Sequence, residues 1–246
     1  MIFRPAVSAL LGTLLVALSL ALPASADSLR VQPKAVVELF TSQGCSSCPP
    51  ADALLTSLSE RGDVLALAYH VDYWDYVGWK DTFGSPAYSD RQRAYAQSWG
   101  SSRIYTPQMV VNGAIGVVGS RRNEVNGAID RAQLPLDVAV TQDRNMLKVS
   151  IPADTALNDA VVWLVTYINR ADVDIAEGNN AGKSMVYTQV VTGRQALGLW
   201  ESNSGASLKL PIPEMLADTS NGIAVIVQQE HNGLPGPILG AAAFER

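Results

Sequence analysis

Val36-Val37-Glu38-Leu39-Phe40-Thr41-Ser42-Gln43-Gly44-Cys45-Ser46-Ser47-Cys48-Pro49-Pro50-Ala51 is the stretch that decides how this chain is read. An apolar run of strand length enters a polar loop. The loop delivers Cys45, and a helix pattern begins at Cys48. These are the only two cysteines in 246 residues, and they sit three positions apart. A Cys-x-x-Cys pair between a strand and a helix is the setting of a redox couple. The positive end of a helix dipole and the free N–H groups of its first turn favour thiolate over thiol. Pro49 and Pro50 are tolerated because they fall in that first turn.

Working outward, residues 35–40 and 64–71 read as buried strands, β-branched or aliphatic with few charges. Between them Ala51, Leu54, Leu55 and Leu58 recur on one helical face, and Gly62 is read as the closing cap. Strand, cysteine loop, helix and strand imply a parallel pair joined by a right-handed crossover. Residues 72–87 form an aromatic insertion. Tyr69, Tyr73, Trp74, Tyr76 and Trp79 place five of the 17 aromatics within eleven residues. A second helix follows, with Tyr88, Gln92, Tyr95, Ala96 and Trp99 on one face and Gly100 at its end. Thr106-Pro107 then leads into two short apolar runs around Asn112-Gly113, a hairpin signal. Ser120 is placed to cap a third helix whose inner face is Val125, Ala128, Ile129 and Ala132. Beyond Pro135 the period changes. Runs near 136–141, 146–151, 160–168, 184–191, 207–212, 223–229 and 238–244 are strand-like with turn residues between them. Residues 135–246 therefore read as a β-rich, antiparallel sandwich-like C-terminal domain after an α/β domain at 27–134.

The first 26 residues read as a signal peptide. Arg4 is the only charge before Asp27, Ala6 to Leu20 is apolar, and Ala24-Ser25-Ala26 is a small-residue cleavage site. The apolar run is shorter than the ~20 residues a span needs, and no second stretch is long enough. The expected mature protein is exported, periplasmic or secreted, with no membrane span. Losing Arg4 moves the formal charge from −5 to −6, which argues against nucleic acid as a partner. An oxidising compartment would keep the lone cysteine pair as a disulfide.

The element order from 35 to 132, with Thr106-Pro107 at the head of the third strand, resembles the thioredoxin fold. The resemblance implies a cis-proline at Pro107 facing the cysteines. More narrowly, residues 38–52, His70-Val71-Asp72-Tyr73-Trp74-Asp75 and Tyr105-Thr106-Pro107-Gln108-Met109 resemble the secreted bacterial family called domain of unknown function 1223. That resemblance implies a fold and no settled activity. Gly44 stands where thioredoxins carry Trp, and Ser46-Ser47 stands between the cysteines.

In this reading Cys45, on the loop side of the helix start and open to substrate, is the nucleophile, and Cys48 is the resolving thiol. Glu38, an acid inside an apolar strand, is a candidate proton acceptor for Cys48, or else the partner of a surface cation at a sheet edge. Thr106, Pro107, Tyr73 and Trp74 are candidates for holding a protein or small thiol/disulfide substrate, the first two by strand addition. His70 ends a strand, and Asp72 follows on the same face if the strand continues; both are candidate modulators of Cys45. No cofactor is expected beyond the Cys45–Cys48 disulfide in the oxidoreductase reading. Two alternatives stand beside it. One is a copper protein using Cys45, Cys48 and His70, since thiolates suit copper(I). The other is a redox-silent binding module on the same scaffold. Gly178-Asn179-Asn180-Ala181-Gly182-Lys183-Ser184 resembles a phosphate loop but leads into a strand, and reads as a hairpin turn.

Overall fold

The computed structural model describes residues 1–2, 33–216 and 220–245; the signal peptide expected at 1–26 lies almost wholly outside them. Eleven strands are described: β1 (Ala35–Thr41), β2 (Val64–His70), β3 (Gln108–Val111), β4 (Ile115–Val118), β5 (Ala139–Asp143), β6 (Met146–Ile151), β7 (Ala160–Ile175), β8 (Lys183–Trp200), β9 (Ala206–Pro211), β10 (Gly222–His231) and β11 (Leu234–Glu245). The α-helices are α1 (Pro49–Ser59), α2 (Pro86–Ser98), α3 (Arg122–Asp130) and the single turn α4 (Ile212–Met215).

The fold is mixed α/β, with a large sheet and few helices. β1 and β2 are parallel, in register from Ala35↔Val64 to Thr41↔His70. β3 runs antiparallel to β1, and β4 antiparallel to β3. The Asn112-Gly113 turn joins β3 to β4 with both residues at positive φ, where Asn and Gly are the cheapest choices. The sheet continues past residues 133–136. β8 joins β2 through Ala68↔Val190, giving the eight-stranded order β11-β10-β7-β8-β2-β1-β3-β4. A second sheet, β5-β6-β9, packs Val140, Leu147 and Val149 onto Val162, Val225 and Val227 of the first.

Strand alternation sorts the core into faces. On β1, Val37 and Leu39 meet α1 and α3 through Leu54, Leu55, Val125 and Ile129. Val36 and Phe40 meet Tyr88 and Tyr95 of α2, and that cluster continues through Tyr167, Val191, Ile226 and Ala241. Apolar burial thus ties residues from both sides of position 135 into one core.

Three local expectations change. α1 ends at Ser59 with Glu60 as its cap, so Gly62 lies past the cap. Arg121, not Ser120, precedes α3, and no side chain caps it. β7 and β8 run longer than their apolar patterns, because the far end of β7 pairs with the start of β8 from Ile168↔Val190 to Ile175↔Lys183, and the far end of β8 pairs back along β7 from Thr166↔Gly193 to Ala160↔Trp200. The far end of β7 carries Arg170, Asp172 and Asp174 toward solvent, which hid it from an apolar count.

Candidate functional site

β1 and α1 bring the two cysteines together. Cys45 and Cys48 form a disulfide with their Cα atoms 5.4 Å apart. Cys48 is the residue before the first helical turn, and its N–H donates to the Cys45 carbonyl at 3.3 Å. Pro49 and Pro50 carry no N–H, and the Ala51 N–H is taken by the Cys48 carbonyl at 2.8 Å. The free first-turn donors expected from sequence are therefore absent at this helix, although its dipole remains.

The Thr106–Pro107 peptide bond is cis, as the resemblance implied. Ser47 Oγ lies 3.4 Å from Cys45 Sγ and 3.5 Å from the Thr106 carbonyl oxygen, linking the disulfide to the cis-proline loop. The Trp74 indole N–H donates to Thr106 Oγ1 at 2.7 Å, and the Tyr73 hydroxyl donates to Gln92 Oε1 at 3.0 Å. Trp74 and Thr106 thus share one wall, while Tyr73 is anchored on α2.

Cys45 is not open to substrate: both cysteines are 0% exposed, and only Ser46 and Ser47 between them reach solvent. Two elements cover the pair. The aromatic insertion closes over Gly44, where an added Cβ would lie 3.2 Å from Trp74 Cβ and 3.1 Å from Val77 Cγ2. The tip of the β7–β8 arm closes from the other side. Asn180 Nδ2 donates to the Gln43 carbonyl at 2.8 Å and to the Cys45 carbonyl at 3.0 Å. Asn179 Nδ2 reaches the Gly44 carbonyl at 3.3 Å. Gln43 joins the two covers: its Oε1 accepts from Trp79 Nε1 at 2.8 Å, and its Nε2 donates to Thr82 Oγ1 at 2.8 Å. The segment that mimics a phosphate loop is a turn, as expected, and it is also part of this lid.

A family model described as "Protein of unknown function (DUF1223)" matches residues 36–228. The chain belongs to the DUF1223 family. The DUF1223 chain is also similar to a protein of Agrobacterium tumefaciens whose crystal structure is known, at 34% identity and a TM-score of 0.78, over 87% of this chain and 94% of that one. No protein of curated function matches.

The DUF1223 site places its acids differently from the sequence reading. Glu38 points to the α2 face, opposite α1. Its Oε1 accepts from Arg91 Nε at 2.9 Å and Nη2 at 2.7 Å, and its Oε2 accepts from the Tyr95 hydroxyl. Side chains alternate along a strand, and Glu38 shares the face of Val36 and Phe40, so it is directed away from Cys48, and its cation is a buried arginine, not a surface one. The acid on the cysteine face is Asp52. It stands one helical turn after Cys48, is 4% exposed, and accepts from Thr41 Oγ1 at 2.7 Å. Its Oδ2 has no partner. Burial pushes its pKa up to about 7, against a smaller lowering by the Thr41 hydrogen bond. A cleft of about 360 Å³ between α1 and the arm reaches it, lined also by Thr56, Arg170 and Met185.

His70 shares the α1 face and is fully buried. Its Nδ1 lies 2.9 Å from Asp81 Oδ2, and its Nε2 has no partner. Burial raises the Asp81 carboxyl, but His70 and the N–H groups of Gln43 and Phe83 outweigh it and hold the acid below its usual range. The strand ends at His70, and Asp72 turns away to accept from Ser89 Oγ on α2. His70 and Asp72 are therefore not a pair. Cys45 and Cys48 are bonded to each other, and among the described residues no three His, Cys, Asp or Glu side chains gather in this disulfide form. Asp52 was findable in sequence, as an acid at i+4 from Cys48 beside an apolar face. Asp81, Gln43 and Asn180 gave no signal, since polar loop residues acquire partners only through distant contacts.

Proposed function

We propose that this protein is an exported thiol–disulfide exchange protein on a thioredoxin-like scaffold, with Cys45–Cys48 as its redox couple. The supporting observation is the disulfide at the start of α1, joined through Ser47 to the carbonyl before cis-Pro107. The order β2-β1-β3-β4, with β3 and β4 antiparallel, supports the scaffold. The leader-like residues 1–26 support export. No helix among the described residues is long and apolar enough to cross a membrane.

In the oxidising direction a substrate thiolate attacks Cys45 Sγ. The Cys45–Cys48 bond breaks, a mixed disulfide forms, and Cys48 leaves as thiolate. Asp52, protonated near neutral pH, supplies its proton to the Cys48 side of the helix start. A second substrate thiolate then attacks the substrate sulfur, forming the substrate disulfide and releasing Cys45. Two electrons pass from substrate to the pair; reversal reduces a substrate disulfide. Burial of both sulfurs makes lid displacement part of the cycle, with the Asn180 tip and the insertion at 72–85 as the moving parts. Trp74 and Thr106 then line the exposed face.

The test is the reduction potential of the pair in glutathione buffers, with capture by the Cys48→Ser protein. A value between about −120 and −270 mV and a trapped mixed disulfide on Cys45 are expected. A value below about −300 mV marks a structural disulfide. The complete burial of the cysteines would then favour the second reading, a redox-silent binding module.

A further inference from the structure

Away from the cysteines, one half-buried cation lacks a counterion among the described residues. Glu38 supplies the carboxylate of a network that holds two guanidiniums. Arg91 takes both of its Glu38 bonds on Oε1. The Gln228 amide oxygen then accepts from Arg91 Nη2 at 3.1 Å and, more weakly, from Arg194 Nη2 at 3.4 Å. One negative charge faces two positive ones. Among the described residues Arg194 has no ion pair, and that long contact is its single hydrogen bond.

The face of the Arg194 guanidinium is satisfied and its edge is not. Its central carbon sits 3.2 Å from the Trp163 ring centroid, a cation–π stack. Trp163 Nε1, in the same stack, is buried without a partner. Burial, with repulsion from Arg91 behind it, pushes the Arg194 pKa down to about 10, so the charged form is held at a cost. A pocket of about 300 Å³ opens at this point, lined by Arg194, Leu164, Thr166, Gln195, Glu214 and Met215.

We propose that this pocket binds a small organic monocarboxylate, its oxygens on the free edge of Arg194 and its apolar tail against Leu164 and Met215. The planar fork of a guanidinium matches two carboxylate oxygens, and a half-buried cation with no carboxylate on its edge gains from an anion placed there. Glu214, exposed at the rim, repels a second negative charge and so disfavours phosphate. Thr166 and Gln195 add polar groups along the wall. The inference is independent of cysteine chemistry.

The probes are butyrate, inorganic phosphate and 1-butanol, titrated while the Arg194 Nε–Hε resonance is followed by NMR. Butyrate is expected to shift that resonance saturably in the millimolar range, more tightly than phosphate, with no response to butanol. Arg194→Gln, read through the surrounding amides, is expected to weaken butyrate by at least about tenfold. Glu214→Gln removes only an exposed like charge and is expected to tighten butyrate by about two- to threefold. The Cys45→Ser/Cys48→Ser protein is expected to bind as the parent does, whatever the reduction potential. A flat butyrate titration, phosphate binding as tight as butyrate, or a Glu214→Gln affinity no higher than the parent's overturns the proposal.

Discussion

Replacing Asp52 by Asn isolates a buried acid one helical turn after Cys48. Its carboxyl is raised from an ordinary 3.8 to about 7, chiefly by burial. The folded protein therefore keeps this proton over a range in which the unfolded chain has lost it. Stability falls as pH rises from about 4 to about 7 and is flat above, because folding there must bury a charge or retain a proton. At roughly 1.4 kcal/mol per tenfold, the displacement amounts to about 4 kcal/mol forgone above pH 7. Asn keeps the acceptor for Thr41 Oγ1 and removes the charge. Its amide nitrogen takes the place of the unpartnered Oδ2 and costs about 1–3 kcal/mol, much as the proton of the neutral acid does. Asp52→Asn should thus be near neutral at pH 4 and more stable than the parent by a few kcal/mol at pH 8. Urea unfolding of the oxidised protein at half-unit pH steps measures this. A stability difference between variant and parent that stays constant from pH 4 to pH 8 refutes the assignment of a buried, unpaired carboxyl.

Asn180→Ala removes two of the three side-chain hydrogen bonds from the arm to the cysteine loop and should cost about 1–3 kcal/mol while speeding reduction of Cys45–Cys48 by dithiothreitol; an unchanged rate would mean that Asn180 does not gate the pair. Gly178→Ala sets a Cβ 2.9 Å from Trp79 Cβ at a φ of +74°, so it should lift the same tip and lower stability by at least about 1 kcal/mol in thermal unfolding. Glu38→Gln strands Arg91 beside Arg194 and should cost about 3–5 kcal/mol, while the pH dependence of the reduction potential stays as in the parent; a changed pH profile would restore Glu38 as the proton acceptor.

Legibility followed the range of the interactions. Two cysteines at a strand-to-helix junction are a local fact, and so are the apolar faces of α1 and α3, the Asn112-Gly113 turn and the strands of the second half. Each rests on periodicity or on a single residue's backbone preference, which neighbours in sequence carry in full. Errors began where a side chain's partner lay far along the chain. Glu38 was matched to the cysteines by proximity in sequence, but strand parity turned it toward Arg91, 53 residues on. Asp72 was paired with His70 for the same reason, while the histidine's partner came from a loop at Asp81. Cys45 was taken as open because nothing local covers it; the cover includes Asn180, 135 residues away. The sequence by itself determined the Cys-x-x-Cys motif at a strand-to-helix junction and the order of elements, and the isomer at Pro107 was expected from a family resemblance. Only the tertiary structure decided that the sulfurs are shut in, that Asp52 is the acid on their face, and that one sheet joins both halves. Those outcomes depend on burial and on long-range pairing, which no single stretch of chain encodes.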